Sequence, residues 1–267
     1  MKGVTVGRKC WFVLALFLVS ALYGQPSIAP GGVINGASFA KSQVVTPGSL
    51  VSIFGTSLAS GLAQANSIPL STALGDVQSV TFNNIPAPLV FVSETQINAQ
   101  LPWEVASSGT TLVVVNRSSG SSPAATVPVG AFSPGIFSVQ FGVGQAIAFF
   151  SDGTLAAPAG SIPGLATRPA KIGDTVIIFA TGLGAVTPPA QTGRQPSTLT
   201  TTTTQPVVLI GGVPARVDFS GLSPEFPGVN QINVVVPQGV TPGNAVPLQI
   251  QVGGITTTDQ VTMAVSP

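Results

Sequence analysis

Beyond its first 24 residues the chain has no cysteine, no histidine and no tyrosine, and its one tryptophan there is Trp103. Without cysteine there is no disulfide framework and no thiolate metal site, so the fold must be held by its core. Without histidine, Ser-His-Asp triads and Cys/His zinc sites are excluded as well. Charge is scarce too. Charged residues are 6% of the sequence, against about 25% in ordinary soluble domains. The six cations beyond residue 24 (Lys41, Arg117, Arg168, Lys171, Arg194, Arg216) are scattered. They form no basic stripe to neutralise phosphates, which excludes nucleic acid as a partner.

The eight acids are Asp76, Glu94, Glu104, Asp152, Asp174, Asp218, Glu225 and Asp259. None are paired at short spacing and none form an acid-rich calcium loop. A glycosidase needs two carboxylates within roughly 5–9.5 Å, and here only distant residues could supply them. A Ser–Lys dyad is arithmetically open to Lys41 or Lys171, but neither lies in a nucleophile motif. The expectation is no catalytic residue, no metal and no cofactor.

A short hydrophobic run opens the chain. Lys2, Arg8 and Lys9 precede a 13-residue apolar run from Trp11 to Tyr23, interrupted only by Ser20 and followed by Gly24. The run is shorter than the roughly 20 residues that span a bilayer. Its flanks are those of a secretory signal peptide at 1–24. The expected location is secreted, extracellular or periplasmic, with association to the cell surface, and no membrane span remains after cleavage.

The rest of the chain repeats. Pro47-Gly48-Ser49-Leu50-Val51-Ser52-Ile53-Phe54-Gly55 returns as Ile172-Gly173-Asp174-Thr175-Val176-Ile177-Ile178-Phe179-Ala180. Val80-Thr81-Phe82-Asn83-Asn84-Ile85-Pro86-Ala87 returns as Val208-Leu209-Ile210-Gly211-Gly212-Val213-Pro214-Ala215, and Gln96-Ile97-Asn98 as Gln231-Ile232-Asn233. A repeat of roughly 100 residues is a duplicated domain, since solenoid units run ~20–50. The units are expected at 25–134 and 135–267. Apolar residues alternate with period two in both, as in Gln96–Leu101, the pattern of half-buried antiparallel strands. Gly and Pro together number 55 and break up any helix. Asn83-Asn84 and Gly211-Gly212 predict matching two-residue hairpins with positive φ. Ser197–Thr204, with six threonines, predicts an exposed loop, and Ser220–Asn230 a longer one.

Five motifs in order carry a resemblance. They are Val33-Ile34-Asn35-Gly36-Ala37-Ser38, Pro47 to Gly55, Gln96-Ile97-Asn98-Ala99-Gln100-Leu101-Pro102-Trp103-Glu104, Ser133-Pro134-Gly135-Ile136-Phe137 and Ala180-Thr181-Gly182-Leu183-Gly184. The set resembles a family of acidobacterial (Solibacter-type) extracellular domains, often C-terminal and of unknown function, related in look to the IPT/TIG immunoglobulin-like group. It covers nearly all of the chain past residue 24. It implies an all-β protein of two tandem immunoglobulin-like (IPT/TIG-like) β-sandwich domains, exported, with no catalytic residues to carry over.

Gln96, Asn98, Gln231 and Asn233 are the candidate contact residues. Two amides on one strand face suit sugar hydroxyls, or they satisfy neighbouring backbone. Recurrence in both units favours the structural role. Trp103, whose counterpart in the second unit is Gln238, has three possible places: packed under a local loop, against the other unit, or open to a partner. The reading is a non-catalytic surface, matrix or adhesion-type module contacting protein or polysaccharide at the cell surface. The alternatives are a carbohydrate-binding module, which has few Trp and Tyr to build on, and a secreted hydrolase. Far-UV circular dichroism of residues 25–267 is expected to show strand with little helix. A helix content above about a third, the ordinary globular share, would overturn the fold class.

Overall fold

Alternation resolves directly into strands. In Gln96–Gln100, Ile97 and Ala99 are fully buried while Gln96 and Asn98 are half-exposed. Residues 24–257 and 260–267 are described by the computed structural model, so the expected leader lies outside them save for Gly24, as does Asp259. No helix occurs among the described residues.

The protein is all-β, two tandem immunoglobulin-like sandwiches. In the first, Ser27–Asn35, Leu50–Thr56, Gln96–Gln100, Leu89–Val92 and Ala63–Gln64 form one sheet in that order. Ala125–Pro128, Thr110–Arg117, Val77–Phe82 and Ile85–Pro86 form the other. Val51, Ile53, Ile97 and Leu89 from one sheet meet Val80, Phe82, Val113 and Val115 from the other in a single core. A second core joins Val176, Ile178, Ile232 and Val234 to Val208, Ile210, Leu248, Ile250 and Met263. β-Branched residues dominate both, as suits a pleated, buried surface.

The duplication survives to the register of single residues. Val51, Ile53 and Phe54 pair with Ala99, Ile97 and Gln96. Val176, Ile178 and Phe179 pair with Val234, Ile232 and Gln231. Both expected hairpins are present, with φ of 48° and 65° at Asn83 and Asn84 and 60° and 79° at Gly211 and Gly212. The halves differ where Pro88 stands in place of Arg216. Proline has no N–H for a ladder, so the first half breaks into Ile85–Pro86 and Leu89–Val92. The second runs unbroken as Val213–Leu222, carrying hydrogen bonding from one layer to the other.

The threonine tract is not a plain loop, a correction to the sequence reading. Thr201–Thr202 is a short strand pairing with Val186–Thr187 and Gly221, and Thr200 is buried. Val207–Ile210 pairs with Val213–Leu222 only as far as Ala215, and Thr201 pairs with Gly221 on the edge left beyond it. Leu222 N–H donates to the Thr200 carbonyl at 3.1 Å.

A seam of buried side chains ties the halves together. Leu50 N–H donates to Thr181 Oγ1 at 2.9 Å, and that hydroxyl donates to the Gly228 carbonyl at 2.7 Å. Inside the first half Asn35 Nδ2 donates to the Ser133 carbonyl at 2.7 Å, and the Ser133 N–H crosses to the Gly182 carbonyl at 2.9 Å. Gln100 Nε2 donates to the Gly48 carbonyl, while its Oε1 accepts Gly193 N–H at 2.7 Å. Thr181, Gln100 and Asn35 are 0%, 1% and 2% exposed, so water cannot replace a lost partner. Thr181→Val keeps the shape and strips the hydroxyl. It is expected to cost about 1–3 kcal/mol for each group left buried and unpaired, read as a lower denaturant midpoint; an unchanged midpoint would remove the seam from the stability of the fold.

Candidate functional site

Residues that alternate with the core must face outward. In both halves this exposes a phenylalanine and two amides: Phe54, Gln96 and Asn98, then Phe179, Gln231 and Asn233. The amides are cross-braced identically. Gln96 Nε2 donates to Asn98 Oδ1 at 2.8 Å, and Gln231 Nε2 to Asn233 Oδ1 at 2.9 Å. The next strand adds Phe91 opposite Asn98 and Phe219 opposite Asn233.

The two faces then diverge. In the first half Ser52 Oγ donates a second hydrogen bond to Asn98 Oδ1, at 3.0 Å. Phe54 lies under Phe39, with ring centroids 6.2 Å apart, and Phe39 in turn meets Phe141 at 5.4 Å. In the second half Ile177 occupies the Ser52 position opposite Asn233 and has no donor to offer. Phe179 instead meets Phe149 at 6.2 Å and Phe226 at 6.4 Å, edge to face. Such pairs hold one another's orientation and contribute about 0.5–1.5 kcal/mol each.

Gln231, Asn233 and Phe219 line a groove of about 510 Å³. Pro196 and residues 197–200 of the threonine tract, with Leu222 and Pro224, line the rest, and no charged side chain is among the lining residues. Phe219 reaches over Gly221. A Cβ there would lie 2.6 Å from the Phe219 ring tip and 1.9 Å from the Thr200 carbonyl oxygen, so only glycine admits both the ring and the threonine strand. A neighbouring depression of about 500 Å³ is lined by Leu50, Ile68 and Leu70 from the first half and by Phe226 and Val229 from the second.

The phenylalanines are what sequence reading missed. Phe149, Phe179, Phe219 and Phe226 are scattered along the chain, and only sheet pairing gathers them. The one available signal was position: Phe179 falls between buried Ile178 and Ala180, so alternation turns it outward.

Trp103 is half-buried at the seam. Its ring packs on Gly48 of its own half, where a Cβ would lie 2.2 Å from the indole. Its backbone N–H crosses to Thr192 Oγ1 at 3.0 Å, and that hydroxyl donates to Glu104 Oε2 at 2.7 Å. The ring thus touches its own half at Gly48 while the backbone N–H reaches the other.

Three of the acids are held in ion pairs. Asp76 pairs with buried Arg117 at 2.7 Å, Asp174 with Arg168 at 2.7 Å and Asp218 with Arg216 at 2.8 Å. Arg168 also lies over the Phe150 ring, 3.4 Å from its centroid, a cation–π contact. Burial pushes the Asp76 carboxyl up, but the Ser60 N–H and the Arg117 guanidinium outweigh it and hold the group below its ordinary value. Asp174 follows the same pattern, with burial opposed by Arg168 and the Lys171 N–H. Asp152 is lowered by the Thr154 N–H across its turn. Among the described residues no three His, Cys, Asp or Glu gather as a metal site, and no helix is long and apolar enough to cross a membrane.

The IPT/TIG domain family matches residues 33–156. No curated protein matches the sequence. Among solved structures, the Bacteroides ovatus mixed-linkage glucan utilization locus protein SGBP-B, solved with a mixed-linkage heptasaccharide, is 15% identical. That alignment covers 83% of this chain and 43% of the other, at a TM-score of 0.34. The surface glycan-binding protein PbSGBP-B from Prevotella bryantii is 13% identical over 89% of this chain and 41% of its own, at 0.26. The I9-I11 tandem of titin is 9% identical over 84% and 65%, at 0.21. The chain thus spans less than half the length of the two glycan-binding proteins, and TM-scores this low carry no role across.

The charge pattern sets the pH response. With no histidine past residue 24, stability is expected to be flat between about pH 5 and 8. Asp76 and Asp174 are lowered in the fold, so their contribution is complete above the unfolded carboxylate value of about 3.9. It is lost as pH falls through their folded values. Asp76→Asn is expected to flatten part of this acid limb and, at pH 7, to cost about 3–5 kcal/mol by stranding the Arg117 charge. Melting temperatures that move steeply between pH 5 and 8, or an acid limb untouched by the substitution, would contradict this.

Proposed function

We propose that the protein is exported through a signal peptide at 1–24 and acts outside the cytoplasm as a non-catalytic surface-contact module. Its two units, 25–134 and 135–267, work as a single body, with the outer face of the second unit as the contact site. The partner is protein or polysaccharide at the cell surface. One observation carries this reading: in the second unit Phe219, Gln231 and Asn233 line a solvent-open groove, whereas in the first unit Ser52 fills the Asn98 oxygen whose counterpart on Asn233 accepts, among the described residues, only from Gln231. A folded chain with 6% charged residues that still turns aromatic rings outward presents surface suited to contact, since aromatics are enriched at interfaces. The seam supports the single body, because neither unit satisfies Gln100 or Thr181 alone.

The reading is tested with fluorescently labelled protein, residues 25–267, added to cells of the producing organism. Phe219→Ala is expected to lower attachment about tenfold, as truncation of an interface anchor does, while leaving the circular dichroism melt close to wild type. Undiminished attachment by a folded Phe219→Ala protein would refute the contact face.

A further inference from the structure

We infer that the groove over Gln231 and Asn233 binds a neutral glycan, with a sugar ring stacked on Phe219 and its hydroxyls bonded by the two amides. This rests on the contact role proposed above and names its ligand class. The first ground is charge. None of the residues lining the groove is charged, so a uronate, sulfate or charged peptide side chain entering it would lose water without gaining a counter-charge.

The second ground is bonding capacity. An amide carries one acceptor oxygen and two donor hydrogens. Gln231 gives one hydrogen to Asn233. The brace leaves Gln231 an acceptor and a donor, and Asn233 two donors and half its acceptor capacity. That alternation of donors and acceptors matches hydroxyl groups, each of which both gives and takes a hydrogen bond. The brace also fixes both amide planes before a ligand arrives, reducing the side-chain entropy lost on binding.

Third, the backbone here is closed to peptides. Asn230–Val235 has Thr175–Thr181 on one side and Val213–Leu222 on the other. Its ladder groups are used, so no strand can be added beside it, and recognition falls to side chains alone. Phe219, extended over Gly221, offers the aromatic surface. The volume of about 510 Å³ falls within the range of roughly 300–1,000 Å³ usual for small-ligand sites.

The first unit is an internal control. Its Asn98 oxygen already accepts from both Ser52 and Gln96, and Phe39 caps Phe54. With the Asn98 oxygen filled, the first pair lacks the acceptor that Asn233 keeps, and it is expected to bind no sugar.

Residues 25–267 are titrated by calorimetry with neutral hexasaccharides of glucan, mannan, galactan and xylan, and with oligogalacturonate. Binding is expected for at least one neutral set, none for the uronate, and little change between low and high salt, because no ion pair is involved. Phe219→Ala and Asn233→Ala are each expected to weaken it about tenfold, and Asn98→Ala to leave it unchanged. Absence of neutral-glycan binding at millimolar ligand would overturn the inference. So would uronate binding as tight, or equal losses from Asn98→Ala and Asn233→Ala. If no glycan binds, yet protease treatment of the cells abolishes an attachment that depends on Phe219, the partner is a protein. The glycan inference then falls while the contact role stands. If attachment does not depend on Phe219, both fall.

Discussion

Everything outward-facing in this protein depends on a few buried hydrogen bonds between its halves. Thr181, Gln100 and Asn35 are almost wholly removed from solvent; Thr181 and Gln100 each hold one partner in their own half and one in the other, and Asn35 fixes Ser133, whose N–H crosses to the Gly182 carbonyl. A buried donor or acceptor has no partner but the one the fold supplies. The seam therefore admits one arrangement of the two sandwiches. The short motifs that run through the chain meet there. Asn35, Gly48, Gln100, Trp103, Ser133 and Thr181 come from separate stretches of sequence and form one junction.

The duplication separates what the fold needs from what a ligand could use. Cross-bracing of Gln and Asn occurs in both halves with the same partners and nearly the same distances, so the brace belongs to the fold. The surroundings of the brace differ. Ser52 fills the Asn98 oxygen in the first copy, whereas Ile177 offers no donor in the second, where Phe219 extends over Gly221. What distinguishes the two copies lies in the neighbours of the amides, since the amides themselves are the same in both.

Low charge has its own structural consequence. Few ion pairs are available, and three of the arginines hold local geometry through Asp76, Asp174 and Asp218. Polar order rests on hydroxyls and amides, whose net worth of about 0.5–1.5 kcal/mol per bond depends on good geometry and dry surroundings. The cores are built from Val, Ile, Leu and Ala, with Phe82 and Phe150 as their buried aromatics. The other phenylalanines beyond residue 24 stay partly in solvent.

Local patterning was enough for much of this. Period-two alternation, two matching positive-φ turns and an internal repeat are short-range signals, and they determined the strands, the hairpins and the duplicated all-β class. They also marked Gln96, Asn98, Gln231 and Asn233 as outward. Tertiary structure alone decided what surrounds those amides. Phe219 and Thr198 reach Asn233 through cross-strand register and a filled sheet edge, and neither leaves a trace in spacing along the chain. The same holds for the threonine tract. Its composition reads as a loop, yet an edge vacated by Val207–Ile210 makes Thr201–Thr202 a strand. Trp103 shows the limit from the other side. Its asymmetry between the repeats pointed to a special position, but whether ring or backbone crosses the seam depends on Gly48 and Thr192, some 55 residues before and 89 after it in sequence. Contacts that distant are set by packing, and packing is not periodic.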